Sequence, residues 1–196
     1  MAELEVKERI IESATKYFSK YGFHKTTMDE IAKNIHKAKG VLYYYFKSKE
    51  ELFNEVLKKE LGTLKEALLE IVHSNNNALT KLTDYIFTRF KLLNKAVNYH
   101  ETLKADFFEK YHFVKDVRED FEKFEQVQLT AIIEKGKEEG YLDVKDVGPA
   151  VDVFMMIMQS VEIPFFLQEK YDLYENTLHD LINMIASSLK ARSKSD

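Results

Sequence analysis

The sequence contains no cysteine. That excludes a disulfide scaffold, thiolate metal sites and a cysteine nucleophile. Proline is almost as scarce: both copies, Pro149 and Pro164, lie in the last quarter, so nothing before them breaks a helix by that route. Six glycines are too few for an all-β protein, which needs a turn roughly every 8–12 residues. No apolar run is longer than Val153 to Met158, far short of the roughly 20 residues of a membrane span. The opening residues, Met1 to Arg9, are charged and hold no apolar signal core. Together these absences read as a soluble, cytoplasmic protein without membrane contact.

What is present suits helices. Of 196 residues, 45% are apolar and 13% aromatic, enough to close a real core in one or two domains. Charge is unevenly spread. Residues 13–49 carry eight Lys/Arg against only Asp29 and Glu30, whereas the whole chain has a net charge of −4. A basic segment on an acidic body is what a polyanion-binding head looks like, because phosphate contacts need cations locally. The same count also describes a solvated basic face.

Apolar positions set the element boundaries. Val6, Ile10, Ile11, Ala14, Tyr17, Phe18 and Tyr21 form one helical stripe, and Gly22 stands where a helix ends at positive φ. Thr27-Met-Asp-Glu30 is a capping box that opens a second helix along Met28, Ile31, Ala32 and Ile35. A third follows with Val41, Leu42, Tyr45 and Phe46. A second box, Ser48-Lys-Glu-Glu51, launches a long helix. Three short helices in the first 47 residues, the last two joined by about three residues, describe a helix-turn-helix unit. Ile10, Ala14, Phe18, Ile31, Ala32, Leu42 and Phe46 supply its core. Further helices are expected over 48–73, 78–97, 100–111, 115–139, 148–169 and 174–191, with a kink or break at Pro164. The predicted fold class is all-α, about nine helices. The predicted domains are a helix-turn-helix domain over 1–47 and a larger helical effector-binding and dimerisation domain over 48–196.

Residues 14 to 53 also resemble a known pattern. Ala14-Thr-Lys-Tyr-Phe18, Tyr21-Gly22-Phe23, Thr26-Thr27-Met28-Asp29-Glu30-Ile31-Ala32, Lys39-Gly40-Val41-Leu42-Tyr43-Tyr44-Tyr45-Phe46 and Ser48-Lys49-Glu50-Glu51-Leu52-Phe53 resemble the DNA-binding domain of tetracycline-repressor (TetR) family transcription regulators. The segment Glu134 to Leu142 is similar to the close of that family's seventh helix. The resemblance implies phosphate contacts from Thr27, Tyr43, Tyr45 and Lys49, and base-edge contacts from Lys39, Gly40, Val41 and Tyr44. Residue chemistry agrees: lysine donates to guanine O6/N7, valine touches a thymine methyl, and tyrosine hydroxyls suit phosphate oxygens. On helical phase Lys39, Tyr43 and Tyr44 point outward, Leu42 and Phe46 inward, and Tyr45 falls between. The turn departs from the pattern. Here it reads Ile35-His36-Lys37-Ala38; His36 replaces the glycine that takes positive φ in the family, Ala38 lacks a capping hydroxyl, and Lys37 adds a cation that can meet phosphate.

The body holds no recognisable catalytic set, so no enzymatic activity and no cofactor or metal are expected. Glu70/His73 and Glu109/His112 have the Glu-x-x-His spacing of di-iron bundles, which leaves a helical metal-binding protein or enzyme as the alternative. Phe87, Phe90, Phe107, Phe108, Tyr111, Phe121, Phe124, Met155 and Met158 belong to an aromatic and sulfur surplus that suggests an apolar effector pocket. Phe154, Val161, Leu178, Leu181, Ile182 and Ile185 lie on the last two helices, near a heptad seam. In the family the corresponding helices pair with their copies. The expected protein is a homodimeric regulator, a repressor, that binds a near-palindromic double-stranded operator and responds to a small apolar or amphipathic effector.

Overall fold

The computed structural model describes residues 2–104 and 112–189. Nine α-helices are found among the described residues, with no β-strand. They are α1 (Ala2–Lys25), α2 (Met28–Asn34), α3 (Lys39–Tyr45), α4 (Lys49–His73), α5 (Ala78–Leu93), α6 (Val97–Glu101), α7 (Lys115–Glu138), α8 (Val147–Ser160) and α9 (Tyr171–Leu189). A 3-10 turn at His112–Val114 and a π-helical turn at Ile163–Leu167 complete them.

The boundaries follow from local chemistry, with corrections. α1 is not short: the helix runs 24 residues, with its buried stripe starting at Ile10. Gly22 interrupts it at φ 81°, ψ 162°, a conformation a Cβ would oppose, and one more turn follows. The expected helix over 78–97 stops at Leu93. α6 then starts afresh, and most of the expected helix over 100–111 lies outside the described residues. The helix expected over 148–169 ends at Ser160. Pro164 removes one backbone donor, and the chain continues as a π turn.

Contacts divide the chain into two compact units, 1–62 with 96–118, and 63–95 with 119–196. The division falls inside α4, so the sequence boundary at residue 47/48 lies within the first unit. That unit buries Ile10, Ala14, Phe18, Ile31, Ala32, Leu42 and Phe46. Phe18 and Phe23 each meet Phe53 at 5.0 Å between ring centroids, which seats the start of α4 against α1. The second unit buries Leu82, Tyr85, Ile86, Phe90, Leu129, Ile133 and Val151.

One sequence expectation fails here. Val147–Leu167 has a mean hydropathy of 1.6 and by length and composition could cross a membrane. Counting unbroken apolar runs missed it, because Asp152, Gln159, Ser160 and Glu162 interrupt the run while the stretch as a whole stays apolar on average. Only a third of its most apolar stretch is buried. Glu162, within it, is buried in an ion pair to Arg89, at home in a protein core.

Candidate nucleic-acid interface

The reader is built by two caps and a turn. Thr27 Oγ1 accepts the Glu30 backbone N–H at 3.3 Å, and the Glu30 carboxylate accepts the Thr27 backbone N–H at 2.9 Å. The Thr27 hydroxyl, which donates to the Glu30 carboxylate, and then the Thr27 N–H hold that carboxyl below its usual range. His36 does adopt positive φ, 55°, and the Lys37 N–H closes the turn on Ala32 O at 3.0 Å. Ala38 offers α3 no side-chain cap. Ser48 Oγ accepts the Glu51 N–H at 3.1 Å, and the Glu51 carboxylate accepts the Lys47 N–H at 2.7 Å.

α3 buries Leu42 fully and Val41 and Tyr45 in part, and turns Lys39, Gly40, Tyr43 and Tyr44 outward. Tyr43 and Tyr44 are 44% and 73% exposed, and Lys39 and Gly40 are also open to solvent. The Lys39 ammonium stands 5.8 Å from the Tyr43 ring centroid. A Cβ built on Gly40 would meet nothing within 4 Å, so the backbone there is open to approach. Val41 and Tyr45 are half-buried; Lys37 and Thr27 are exposed. The Thr27 hydroxyl already donates to the Glu30 carboxylate at 2.7 Å.

Lys49 departs from expectation. Its ammonium donates to Phe23 O at 2.8 Å and Thr26 O at 3.1 Å, and stands 4.3 Å from the Phe23 ring centroid. Burial lowers its pKa. It closes carbonyls at the end of α1 rather than standing free for phosphate, because the first turn of α4 lies against that end.

These features, an exposed Lys–Tyr face on a short helix set two residues after a positive-φ turn, coincide with a family match. Residues 10–56 match the profile described as "Bacterial regulatory proteins, tetR family". Within residues 10–56 the chain therefore carries a DNA-binding segment of the TetR type. It is 43% identical over 63 residues, about a third of each chain, to an uncharacterized HTH-type transcriptional regulator, YhgD, of Bacillus subtilis. It is 27% identical over 169 residues to the fatty acid metabolism regulator protein of the same organism, covering 84% of this chain and 86% of that one. The crystal structure of the transcriptional regulator FadR from Bacillus subtilis, in complex with stearoyl-CoA, superposes with a TM-score of 0.70 at 25% identity. That match covers 89% of this chain and 96% of the other.

Elsewhere in the chain the sequence-predicted sites are rearranged. Of the candidate pocket residues, Phe90, Phe121, Met155 and Met158 are buried and Phe124 is half-buried. Phe87 stacks on His179 at 3.6 Å, its face already covered. Phe107, Phe108 and Tyr111 lie outside the described residues. A cavity of about 590 Å³ has none of these residues in its lining; Asn75, Asn77, Lys81, Lys135 and Tyr141 make it polar. Met155 lines an open cleft of about 310 Å³ with Glu122, Lys123 and Asp152.

On the dimer candidates, Ile182 turns into the protomer. It is buried beside Leu82 and Ile86 of α5, as is Ala186, because α9 packs on α5 along that line. Phe154 and Ile185 share this apolar cleft. Val161 and Leu178 are half-buried, and Leu181 is half exposed. The outward residues are Val153, Met156 and Ile157 on α8, and Leu173, Tyr174, Leu181 and Met184 on α9. The alternative metal reading loses its geometry: Glu70 and His73 face solvent, Glu109 lies outside the described residues, and His112 is exposed.

Sequence reasoning missed a buried ion network. Arg89 on α5 donates from Nε to Glu125 Oε1 at 2.6 Å and from Nη2 to Glu125 Oε2 at 3.1 Å. The same Nη2 reaches Glu162 Oε1 at 2.6 Å. Burial pushes the Glu125 carboxyl up, against the pull of the Arg89 guanidinium. The only sequence signal was three charges set in otherwise apolar helical stripes.

Proposed function

We propose that this TetR-family transcriptional regulator is a homodimeric, effector-controlled repressor that reads a near-palindromic operator with α3 of each copy. The observation that carries it is the outward set on α3: Lys39, Tyr43 and Tyr44 are exposed while Leu42 alone is fully buried. Large aromatic rings in water, beside a cation, suit a groove and its phosphates. Gly40 and Val41 would lie against base edges; Thr27, Lys37 and Tyr45 would flank the phosphates. On this reading residues 1–47 form the head and 48–196 the effector and dimerisation body, in a cytoplasmic protein with no membrane partner. A mobility-shift titration tests it. Lys39→Ala with Tyr43→Ala should abolish specific binding with helicity intact; unchanged operator affinity overturns the assignment.

Pairing through α8 and α9 is favoured by their uncovered apolar side chains, with Leu181 and Met184 three residues apart on one face. Two half-sites about one helical turn apart need two heads. Light scattering should give twice the 23.1 kDa chain mass for the wild type, and near 23.1 kDa for Leu181→Glu with Met184→Glu.

The effector proposed is a small apolar or amphipathic molecule taken into the second unit. The likeness to a fatty acid metabolism regulator and to a structure holding stearoyl-CoA supports this class. Helix α4 runs from the first unit into the second, so it is the covalent route by which such a ligand could bias the head. That bias requires different affinities for two arrangements. Long-chain acyl-CoA should lower operator affinity in the same titration; no effect from acyl chains of any length counts against this class.

A further inference from the structure

We propose that Glu3 is a specificity-determining residue of the recognition surface: its carboxylate accepts the hydrogen bond of the Tyr44 hydroxyl, so that Tyr44 meets DNA as a hydrogen-bond acceptor and favours an amino-bearing base edge. The inference rests on the DNA-reading function proposed above.

Tyr44 is 73% exposed, yet its position is set on two sides. Its ring stands edge-on to Tyr45 at 5.0 Å, and its hydroxyl donates to Glu3 Oε1 at 2.9 Å, bridging the first turn of α1 to α3. The neighbouring carboxylate raises the Tyr44 pKa, which keeps the proton on the phenol. A phenol has one proton to donate and lone pairs to accept with. With that proton engaged by Glu3, the oxygen presents only lone pairs outward. Phosphate oxygens, guanine O6 and N7 and thymine O4 are all acceptors and gain nothing there. The donors on the major-groove edge are cytosine N4–H and adenine N6–H. The Glu3 carboxylate is itself an acceptor of the kind that pairs with cytosine N4.

Charge adds a second effect. A carboxylate beside the reading helix repels phosphate, so it weakens docking on arbitrary sequence. Glu3 also precedes the matched segment, residues 10–56, so this pairing belongs to the chain's own N-terminal turn rather than to the matched domain.

The experiment is in vitro selection of randomised duplexes by the full-length wild type, Glu3→Ala and Tyr44→Phe, followed by titration on an arbitrary duplex. The wild type should enrich an inverted repeat with cytosine or adenine at one position in each half-site, by about tenfold. Both variants should lose that single preference and keep the rest of the repeat. Only Glu3→Ala should also tighten binding to arbitrary duplex, several-fold. A wild-type repeat whose preferences survive unchanged in Glu3→Ala overturns this inference alone. Failure of the wild type to enrich any repeat overturns the DNA-reading function and this inference with it.

Discussion

The carboxylate of Glu60, on α4, accepts the Tyr99 backbone N–H at 3.0 Å and thereby caps α6 from a different helix. The residue that should do this, Ala96, has no side-chain acceptor. Glu60 also accepts Asn98 Nδ2 at 2.7 Å, and the same amide reaches Ser19 Oγ on α1 at 3.0 Å. One carboxylate and one amide therefore join α1, α4 and α6 within the first unit.

Burial, opposed by those hydrogen bonds, pushes the Glu60 carboxyl above its ordinary 4.5. Below 4.5 the group is protonated in both folded and unfolded chains, and its contribution to stability is fully present. As pH rises the unfolded chain ionises first, and the contribution is gone once pH has passed the folded pKa. Relative to Glu60→Gln, which does not titrate, the wild type should lose stability as pH rises above 4.5. Urea midpoints of both proteins across that rise measure it, and a wild type that gains stability relative to Glu60→Gln as pH rises would contradict the assignment.

Arg89→Ala deprives two buried carboxylates of their guanidinium. The expected loss is about 3–5 kcal/mol, or a melting temperature lower by roughly 6–20 °C. Replacing Arg89, Glu125 and Glu162 together by Met and Leu should cost far less, because the desolvation of all three charges is removed with their pairing. Thermal melts followed by circular dichroism compare the two.

For Lys49 the two roles separate cleanly. Lys49→Met keeps the stem and removes the bonds to Phe23 O and Thr26 O, so stability should drop by about 1–3 kcal/mol. The salt dependence of DNA binding should keep its slope. A phosphate contact at Lys49 would instead reduce that slope by about 0.9.

Two helical glycines should respond with opposite sign. An added Cβ at Gly62 meets nothing within 4 Å, so Gly62→Ala should stabilise by about 1 kcal/mol through helix propensity. At Gly136 it would lie 2.5 Å from Ala78 Cβ and 2.6 Å from Leu142 Cδ1. Gly136→Ala should therefore destabilise by about 1–3 kcal/mol despite the same gain in propensity. Denaturation curves of the two single variants decide it.

Much of the first unit was legible because its signals are local. Thr27 and Glu30 are three residues apart and face each other in any helix that starts there, and His36 had to absorb the tight turn. Outward Tyr43 and Tyr44 followed from helical phase around Leu42. The second unit was less legible. Its stripes are wide and apolar on several sides, so phase alone could not say whether Ile182 turns toward α5 or toward a second chain. Contact with α5 settles that, and moves the uncovered face to Met156, Leu181 and Met184.

By itself the sequence determined the helices, their caps and the reader's outward side chains, since each depends on residues within about one turn of one another. Tertiary structure alone decided what the long-range polar groups do. Glu3 meets Tyr44 across 41 residues, Glu60 meets Asn98 across 38, and Arg89 meets Glu162 across 73. No periodicity encodes such pairs; they exist because burying a polar group in a packed core demands a partner, and only the folded chain brings one.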